Sequence, residues 1–512
     1  MNKKKIIIIT LVLLFLLLIA TIFIIVLNNQ YKVNDNSYEN LNIDPISDET
    51  SEQDIDTFDD LSECISFVDL SVLPRDNTDY HSYDTYFVSA DGNDNSNGTK
   101  DMPFSSISHA LEIAGDNSII FVREGTYKTN ILRITHSNFI LTAYENETVN
   151  ITPLVKNIDW NMEEDLAILI EGDISDVVID GITMMDFEEG IVYGDPETQE
   201  NITFKNIDIK GASIGIQNTY LSHTDYLVKN LLIKNVTMND ISGIGVQCGD
   251  EQQLCAQNVL IQNVSINGSP DNVNDTGYDS LAFVNSDNLL VIDSVFTYAP
   301  GDGLDFKSTR VSVVNTVVGN PNRNGIKFWH EGEIINSIVY ATGADAAIVF
   351  DSEKVDSRFR LINSIAAQHL ISTPISERYA YAMTIGYDQP DSFNIELINN
   401  IFYDMPGPIY INPQSSVIIH NNIFYNFIHD DRFLVYGEDD FNDTEMLNSR
   451  NYANDNNYID PEFQNPTSAD WLLQETSPAI DAGSRGENIP LFDINWEDRP
   501  IGNEIDIGPY EE

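Results

Sequence analysis

The chain has 512 residues, of which 81 are acidic and 26 are basic, so its formal net charge at neutral pH is −55. A surface this negative repels nucleic acid and anionic lipid, so neither is an expected partner. The charge is compatible with a salty or cation-rich exterior or with calcium binding, and composition alone does not separate these.

The N-terminus has the pattern of a membrane anchor. Three lysines, Lys3 to Lys5, precede an unbroken apolar run from Ile6 to Leu27. A run of this length can span a bilayer, which takes about 20 residues, and no small-residue cleavage site follows it. We therefore expect residues 1–28 to form an uncleaved signal anchor, with a cleaved signal peptide as the alternative. The lysines before the run place the N-terminus inside the cell and the body outside it.

The next segment, residues 29–80, is polar and acidic and lacks periodicity. Such a composition predicts a flexible stalk between the anchor and a folded body, residues 81–512. Cys248 and Cys255 in that body are close enough in sequence to close one loop. No histidine or second cysteine pair accompanies them, so a disulfide is favoured over a metal site.

The body is built from repeats. The phrases SLAFVN, GDGLDFK, RNGIKFW and DAAIVFD follow one another at spacings of 23, 22 and 22 residues. A second phrase, apolar-x-apolar-x-Asn/Asp-x-x-apolar, recurs with a similar period. Its polar residue is Asn206, Asn235, Asn263, Asp293, Asn315 or Asn422, and more loosely Asn336, Asn363 or Asn400. Short strands rich in Val and Ile with a period of one coil predict an all-β fold, a parallel β-helix with coils of about 22–30 residues.

The alternation within these phrases predicts which side chains face outward. In GDGLDFK, Leu304 and Phe306 fill the core, so the residues between and after them point to solvent. The residues predicted to face outward on three successive coils are Asp305 and Lys307, then Lys327 and Trp329, then Asp351. Stacking at about 4.8 Å per coil puts Asp305 beside Lys327.

The turn before these strands adds oxygen ligands in register, with the last of them one residue off. These are Asp279, Asp302, Asn324 and Asp345. Calcium takes six to eight oxygens from carboxylates, amides and water. The column therefore predicts a Ca²⁺ site.

Two stretches resemble a known superfamily. Tyr86 to Tyr127 contains a first strand, a Gly/Asn/Asp turn, Gly-Thr, Pro-Phe and an amphipathic run from Ile107 to Ala114. The tail contains SPAIDAG (477–483) and IDIGPYE (505–511). They resemble the opening and closing segments of right-handed parallel β-helix proteins of the pectate-lyase-like superfamily. The resemblance implies an N-terminal cap at 86–127 and a closing segment at 459–512.

That superfamily includes lyases, hydrolases, epimerases and non-catalytic adhesins. The GDGxDxK string resembles the lysine-bearing coil of some pectate lyases, in which cations neutralise a uronate carboxylate and a basic side chain removes the proton at C5. The resemblance implies Lys307 as the base, Lys327 and Arg323 as carboxylate partners and Trp329 as a platform for a sugar ring. The expected catalytic residues are thus Lys307, Lys327 and Asp305, and the expected substrate-binding residues are Trp329, Arg323 and Asp351.

Three other interpretations stay open. The patch could be a solvated ladder with the surface pairs Asp305–Lys327 and Lys307–Asp351. A glycoside hydrolase would use Asp302 and Asp305 as acid and base. A non-catalytic adhesin or surface-layer protein would bind glycans by its flank. The leading expectation is a membrane-anchored, extracellular β-helix that binds acidic polysaccharide and cleaves it by β-elimination.

Overall fold

The computed structural model describes residues 57–78, 80, 83–154, 165–195, 198–218, 227–249, 254–269, 277–343, 346–352, 356–368, 381–386, 392–428, 431–486 and 488–512. The predicted anchor, residues 1–28, and the stalk up to residue 56 lie outside these ranges. None of the helices within them is long and apolar enough to cross a membrane.

The chain divides into two compact units. In the smaller unit the structure describes only Asn465–Asp470, which contains the 3-10 turn Pro466–Ser468. The larger unit contains residues 52–464 and 471–512, and it is an all-β body of stacked coils. Its helices are α1 (Thr57–Ser62), α2 (Ile107–Ile113) and α3 (Thr444–Asn448), with 3-10 turns at Leu70–Val72 and Tyr144–Asn146.

Three parallel ladders of strands form the walls of the coils. The flank sheet contains β1 (Asp84–Val88), β2 (Ser118–Val122), β5 (Phe139–Ala143), β8 (Ser175–Asp180), the first parts of β11 (Gln199–Lys210), β13 (Val228–Ile241) and β15 (Ala256–Gly268), the second parts of β16 (Leu281–Ile292) and β18 (Leu304–Val314), then β21 (Gly332–Ile335), β24 (Ser357–Ile362), β27 (Phe393–Ile398), β30 (Ser416–His420) and β34 (Ala453–Asn454).

The third sheet contains β3 (Gly125–Thr129), β6 (Val149–Pro153), β9 (Ile182–Met185), the second parts of β11, β13 and β15, then β17 (Val295–Thr297), β19 (Val317–Gly319), β22 (Ile338–Tyr340), β25 (Ile365–Ala367), β28 (Ile401–Tyr403), β31 (Ile423–Tyr425) and β35 (Asn457–Tyr458).

The site sheet, which carries the candidate site, contains β4 (Leu132–Ile134), β7 (Leu166–Glu171), β10 (Glu189–Asp195), β12 (Ile214–Asn218), β14 (Ile244–Cys248), the first parts of β16 and β18, then β20 (Ile326–Phe328), β23 (Ala346–Phe350), β26 (Tyr381–Ile385), β29 (Ile409–Ile411) and β32 (Leu434–Tyr436). Strand β33 (Asp439–Phe441) pairs antiparallel with β32, and β36 (Phe463–Asn465) and β37 (Asp470–Leu473) complete the strands. The parallel β-helix that the repeats predict is confirmed.

The interior is filled by side chains that stack from coil to coil. The rings of Phe306, Phe328 and Phe350 are each fully buried, and successive centroids lie 5.4 Å apart. The apolar members of the repeated phrases therefore point inward as the alternation predicts. Their neighbours in sequence must then face outward, because successive strand residues point to opposite sides of a sheet.

Left-handed asparagines make the turn between the flank sheet and the third sheet. Asn206, Asn235 and Asn263 have φ of 53°, 53° and 52°. The amide of Asn235 donates to Asn206 Oδ1 at 3.0 Å, and that of Asn263 donates to Asn235 Oδ1 at 2.8 Å. These asparagines have a structural role, since an asparagine tolerates this backbone and its amide links neighbouring coils.

The N-terminal and C-terminal segments of the solenoid pack differently against the coils. Helix α2 is capped by Ser106, and its buried residues Ile107 and Ala110 belong to the core of the first coils, as expected for an N-terminal cap. The tail instead runs back along the outside. Ala482 O accepts from the Asn421 amide, and Phe492 O accepts from the Asn336 amide.

Residues 57–78, called the strap here, differ from the flexible stalk that the sequence predicts. Leu61, Cys64, Val68 and Leu73 are buried against outward-facing apolar residues of the flank sheet. These include Leu232, Leu260, Leu290 and Ile335. The strap is ordered because it covers apolar surface that the coils leave uncovered, which composition alone did not indicate.

Polar contacts also hold the strap along the helix axis. Glu333 Oε1 accepts from the backbone N–H of Ser66 at 2.9 Å, Asn288 Oδ1 accepts from that of Asp69 at 2.6 Å, and Lys205 Nζ lies 2.6 Å from Asp76 Oδ1. Because these partners lie on β21, β16 and β11, the strap crosses many coils.

Candidate functional site

The site sheet carries the predicted patch in the predicted register. Asp305 and Lys327 are Cα partners on β18 and β20. The residues that follow the strands also stack, since Trp329 N–H donates to Phe306 O and Asp351 N–H donates to Phe328 O, both at 2.8 Å. Two neighbouring coils therefore bring a carboxylate, an amine and an indole to one surface.

Lys327 lies between a carboxylate and an aromatic face. Its Nζ is 3.4 Å from Asp302 Oδ2 and 4.8 Å from the centroid of the Trp329 ring. The indole Nε1 of Trp329 donates to Asp305 Oδ1 at 3.1 Å. The Lys327 side chain is 16% exposed and that of Asp302 is 2% exposed. The patch is thus a largely buried network, in contrast to a solvated ladder with an Asp305–Lys327 pair.

The described members of the turn column lie in the predicted register. Asp279 Oδ1 accepts from Asp302 N–H at 2.8 Å, Asp302 Oδ1 accepts from Asn324 N–H at 2.9 Å, and Asn324 Oδ1 accepts from Ala346 N–H at 3.0 Å. A glycine follows each of the last two polar residues because coils meet closely here. A Cβ on Gly303 would lie 2.6 Å from the carbonyl oxygen of Gly325 on the next coil.

The environment of the patch raises the pKa of two of its carboxyl groups. Burial, followed by repulsion from Asp302 and Asp305, raises the pKa of Asp279 to about 8. Burial also raises the pKa of Asp305, although Lys327, Lys307 and the Trp329 hydrogen bond act in the opposite direction. Asp279 therefore carries a proton at neutral pH, a condition that a general acid requires.

The predicted calcium ligands are engaged in contacts within the column. Asp279, Asp302 and Asn324 each use an oxygen to bond the next coil, and the Lys327 ammonium faces the other oxygen of Asp302. Asp345 lies outside the described residues. Across the ranges that the structure describes, no group of three or more His, Cys, Asp or Glu side chains is arranged to hold a metal.

The remaining expected residues differ in how they are placed. Lys307 and Arg323 are partly buried on or next to the coils of the patch, and Asp351 Oδ1 accepts from Ser352 N–H at 2.8 Å. Cys248 and Cys255 are free thiols, so the predicted disulfide is not formed. Both are fully buried core residues, which explains their occurrence without a covalent bond.

Sequence reasoning missed two outward glutamines on the same sheet. Gln217 and Gln247 are Cα partners on β12 and β14, on the N-terminal side of the patch. Both contain a buried carbonyl oxygen that has no hydrogen-bond partner among the described residues. The similar phrases SIGIQ (213–217) and GIGVQ (243–247) were the signal for them, because the same polar residue recurs at an outward position of successive coils.

Comparisons with known proteins match short stretches of the sequence. A family model described as a protein of unknown function (DUF1565) matches residues 90–134. The uncharacterized protein YwoF of Bacillus subtilis (strain 168) is 34% identical over 110 residues, which cover 20% of this chain and 23% of that protein. Pectate lyase PEL9 of Emericella nidulans is 42% identical over 69 residues, or 12% and 17% of the two chains. The chain spans less than a quarter of these relatives.

A solved structure is similar over nearly the whole body. The complex of XylC with xylose covers 83% of this chain and 98% of that chain, with a TM-score of 0.55 and 11% sequence identity. At this identity the likeness shows the fold alone. It agrees with the parallel β-helix that the repeats predict.

Proposed function

We propose that the protein binds acidic polysaccharide on the site sheet and cleaves it by β-elimination. The observation that carries the proposal is Lys327, which is held between Asp302 and the Trp329 ring on a protein of net charge −55. On such a surface a polyanion binds only where cations are concentrated. The similarity of one stretch to a pectate lyase supports the same reaction class.

In this reaction Lys327 and Arg323 neutralise the carboxylate of a uronate, which acidifies the proton at C5. Lys307, in its neutral form, removes that proton. The electron pair forms the C4–C5 double bond as the C4–O bond breaks, and the leaving oxygen takes a proton from water. The partly buried ring of Trp329 supports a sugar ring. The protein acts at the cell surface, held by residues 1–28.

A second candidate is a glycoside hydrolase. It is favoured by Asp279, whose pKa of about 8 leaves it protonated at neutral pH, as a general acid must be. A second carboxylate such as Asp305 or Asp302 would then activate water or attack the sugar. A glycan-binding surface protein without catalysis is the third candidate, and the three differ in their products.

The test uses the full-length chain in detergent with pectate, alginate and glycosaminoglycans, each with and without Ca²⁺. Elimination produces an unsaturated uronate that absorbs in the ultraviolet, and we expect this absorbance to rise. Lys307→Ala should abolish the rise, whereas Lys229→Ala, a matched lysine on the flank sheet, should leave it unchanged. New reducing ends without absorbance would establish a hydrolase. Binding without either product would establish a non-catalytic protein.

A further inference from the structure

The site sheet continues beyond the acidic patch as a polar surface. Gln217, Gln247, Ala282 and Asp305 are successive Cα partners on β12, β14, β16 and β18. Neighbouring strands are about 4.8 Å apart, so the two glutamines lie roughly 10 and 14 Å from Asp305 along the helix axis. Ala282, on β16, lies between the glutamines and Asp305, and the whole row is short enough for one extended ligand to span.

The two glutamines have unmet hydrogen-bonding capacity. The amide nitrogen of Gln217 donates to Glu189 Oε2 at 3.2 Å, and this contact leaves its carbonyl oxygen as the free group. Within the ranges that the structure describes, that oxygen and the corresponding oxygen of Gln247 are buried without a partner, and Gln217 is 5% exposed. A buried acceptor without a partner lowers the stability of the folded protein by about 1–3 kcal/mol. Two such acceptors beside the candidate site therefore indicate that a ligand donates hydrogen bonds to them.

We propose that Gln217 and Gln247 form a subsite for the hydroxyl groups of an uncharged sugar unit. The inference rests on the proposed function, because it places this unit on the same glycan chain as the uronate at Lys327. Two carbonyl oxygens need donors, which a hydroxyl supplies and a carboxylate does not. The adjacent Glu189 also disfavours a second uronate here. The substrate class is thus an acidic heteropolysaccharide, in which neutral sugars adjoin uronates.

The first test measures binding of neutral sugars by themselves. Tetrasaccharides of xylose, glucose, mannose and galactose are titrated calorimetrically into the full-length chain in detergent. We expect saturable binding of at least one, weakened about two- to tenfold in Gln247→Leu and in Gln217→Leu, the range for loss of one neutral hydrogen bond. Gln262→Leu, a partly buried glutamine on the flank part of β15, is the matched control and should bind as the wild type does.

The design separates this inference from the lyase proposal. Binding of the neutral sugar should be observed even if no uronate is ever cleaved. Urea unfolding midpoints show whether the glutamine variants fold. If Gln247→Leu does not fold, Gln247→Asn is used in its place, because it keeps the amide group but shortens the side chain by one methylene. The subsite is refuted if no neutral tetrasaccharide binds, or if both glutamine positions can be changed without effect.

Discussion

Replacing Glu333 with alanine should detach the strap from the flank sheet. Glu333 is fully buried, and its Oε2 lies 2.6 Å from Arg360 Nη1. Its Oε1 accepts from Ser66 N–H at 2.9 Å and from Ser312 Oγ at 2.6 Å. Without the carboxylate, the guanidinium of Arg360 remains buried with less compensation for its charge. Breaking one side of a buried ion pair costs about 3–5 kcal/mol, a large part of a typical unfolding free energy of about 5–15 kcal/mol.

The matched control is Glu396→Ala. Glu396 also contacts Arg360, with Oε2 3.0 Å from Nε, but its side chain is 39% exposed. An ion pair with an exposed partner contributes about 0–1 kcal/mol to the unfolding free energy, so Glu396→Ala should unfold in urea nearly as the wild type does. The comparison keeps the same arginine and removes either the buried glutamate that also bonds the strap or the exposed one.

Cys64 reports the position of the strap directly. It is a fully buried free thiol on the strap, and burial raises its pKa to about 12, so it should react slowly with a thiol reagent in the native protein. In Glu333→Ala we expect rapid labelling of Cys64 while Cys248 and Cys255, in the core of the coils, stay protected. Equal unfolding free energies for the two glutamate variants, or a Cys64 that stays unreactive, would refute the reasoning.

Three further predictions concern the site and the coils. Asp279→Asn should raise the unfolding free energy at pH 8 and leave it nearly unchanged at pH 4, as measured by urea unfolding; the folded wild type holds a proton from its ordinary pKa of 3.8 up to about 8, so its stability falls as pH rises through that window. Trp329→Ala should weaken glycan binding about two- to tenfold in calorimetry, whereas Trp329→Phe, which keeps an aromatic face, should bind more tightly than the alanine variant. Asn422→Ala should lower the unfolding free energy by about 1–3 kcal/mol for each buried partner left unpaired, including Asn400 N–H and Leu397 O, while exposed Asn454→Ala changes it by less than about 0.5 kcal/mol.

The sequence predicted the features that repeat. Because each coil presents the same alternation, the pairing of Asp305 with Lys327 and the stacking of Asp302 with Asn324 followed from spacing alone. What the sequence did not predict are contacts between distant segments. The sequence also did not predict the ion pair between Lys327 and Asp302, because that pair depends on the direction in which the lysine side chain extends. The roles of these residues in the site remain predictions.

The strap was missed because its residues have no period. One indirect signal was present in the repeats themselves. Leu232, Leu260 and Leu290 occupy an outward position that is polar Thr203 in the preceding coil. A run of apolar residues on the outside of successive coils indicates that another part of the chain covers them, because such a patch is rarely left in contact with water.

The strap changes how this solenoid should melt. In a stack where each coil touches only its neighbours, stability is a sum of local terms and one end can fray while the other persists. Here a single segment bonds β21 through Glu333, β16 through Asn288 and β11 through Lys205. Coils that never touch one another are thereby linked, so the middle of the body should lose its structure in one cooperative step.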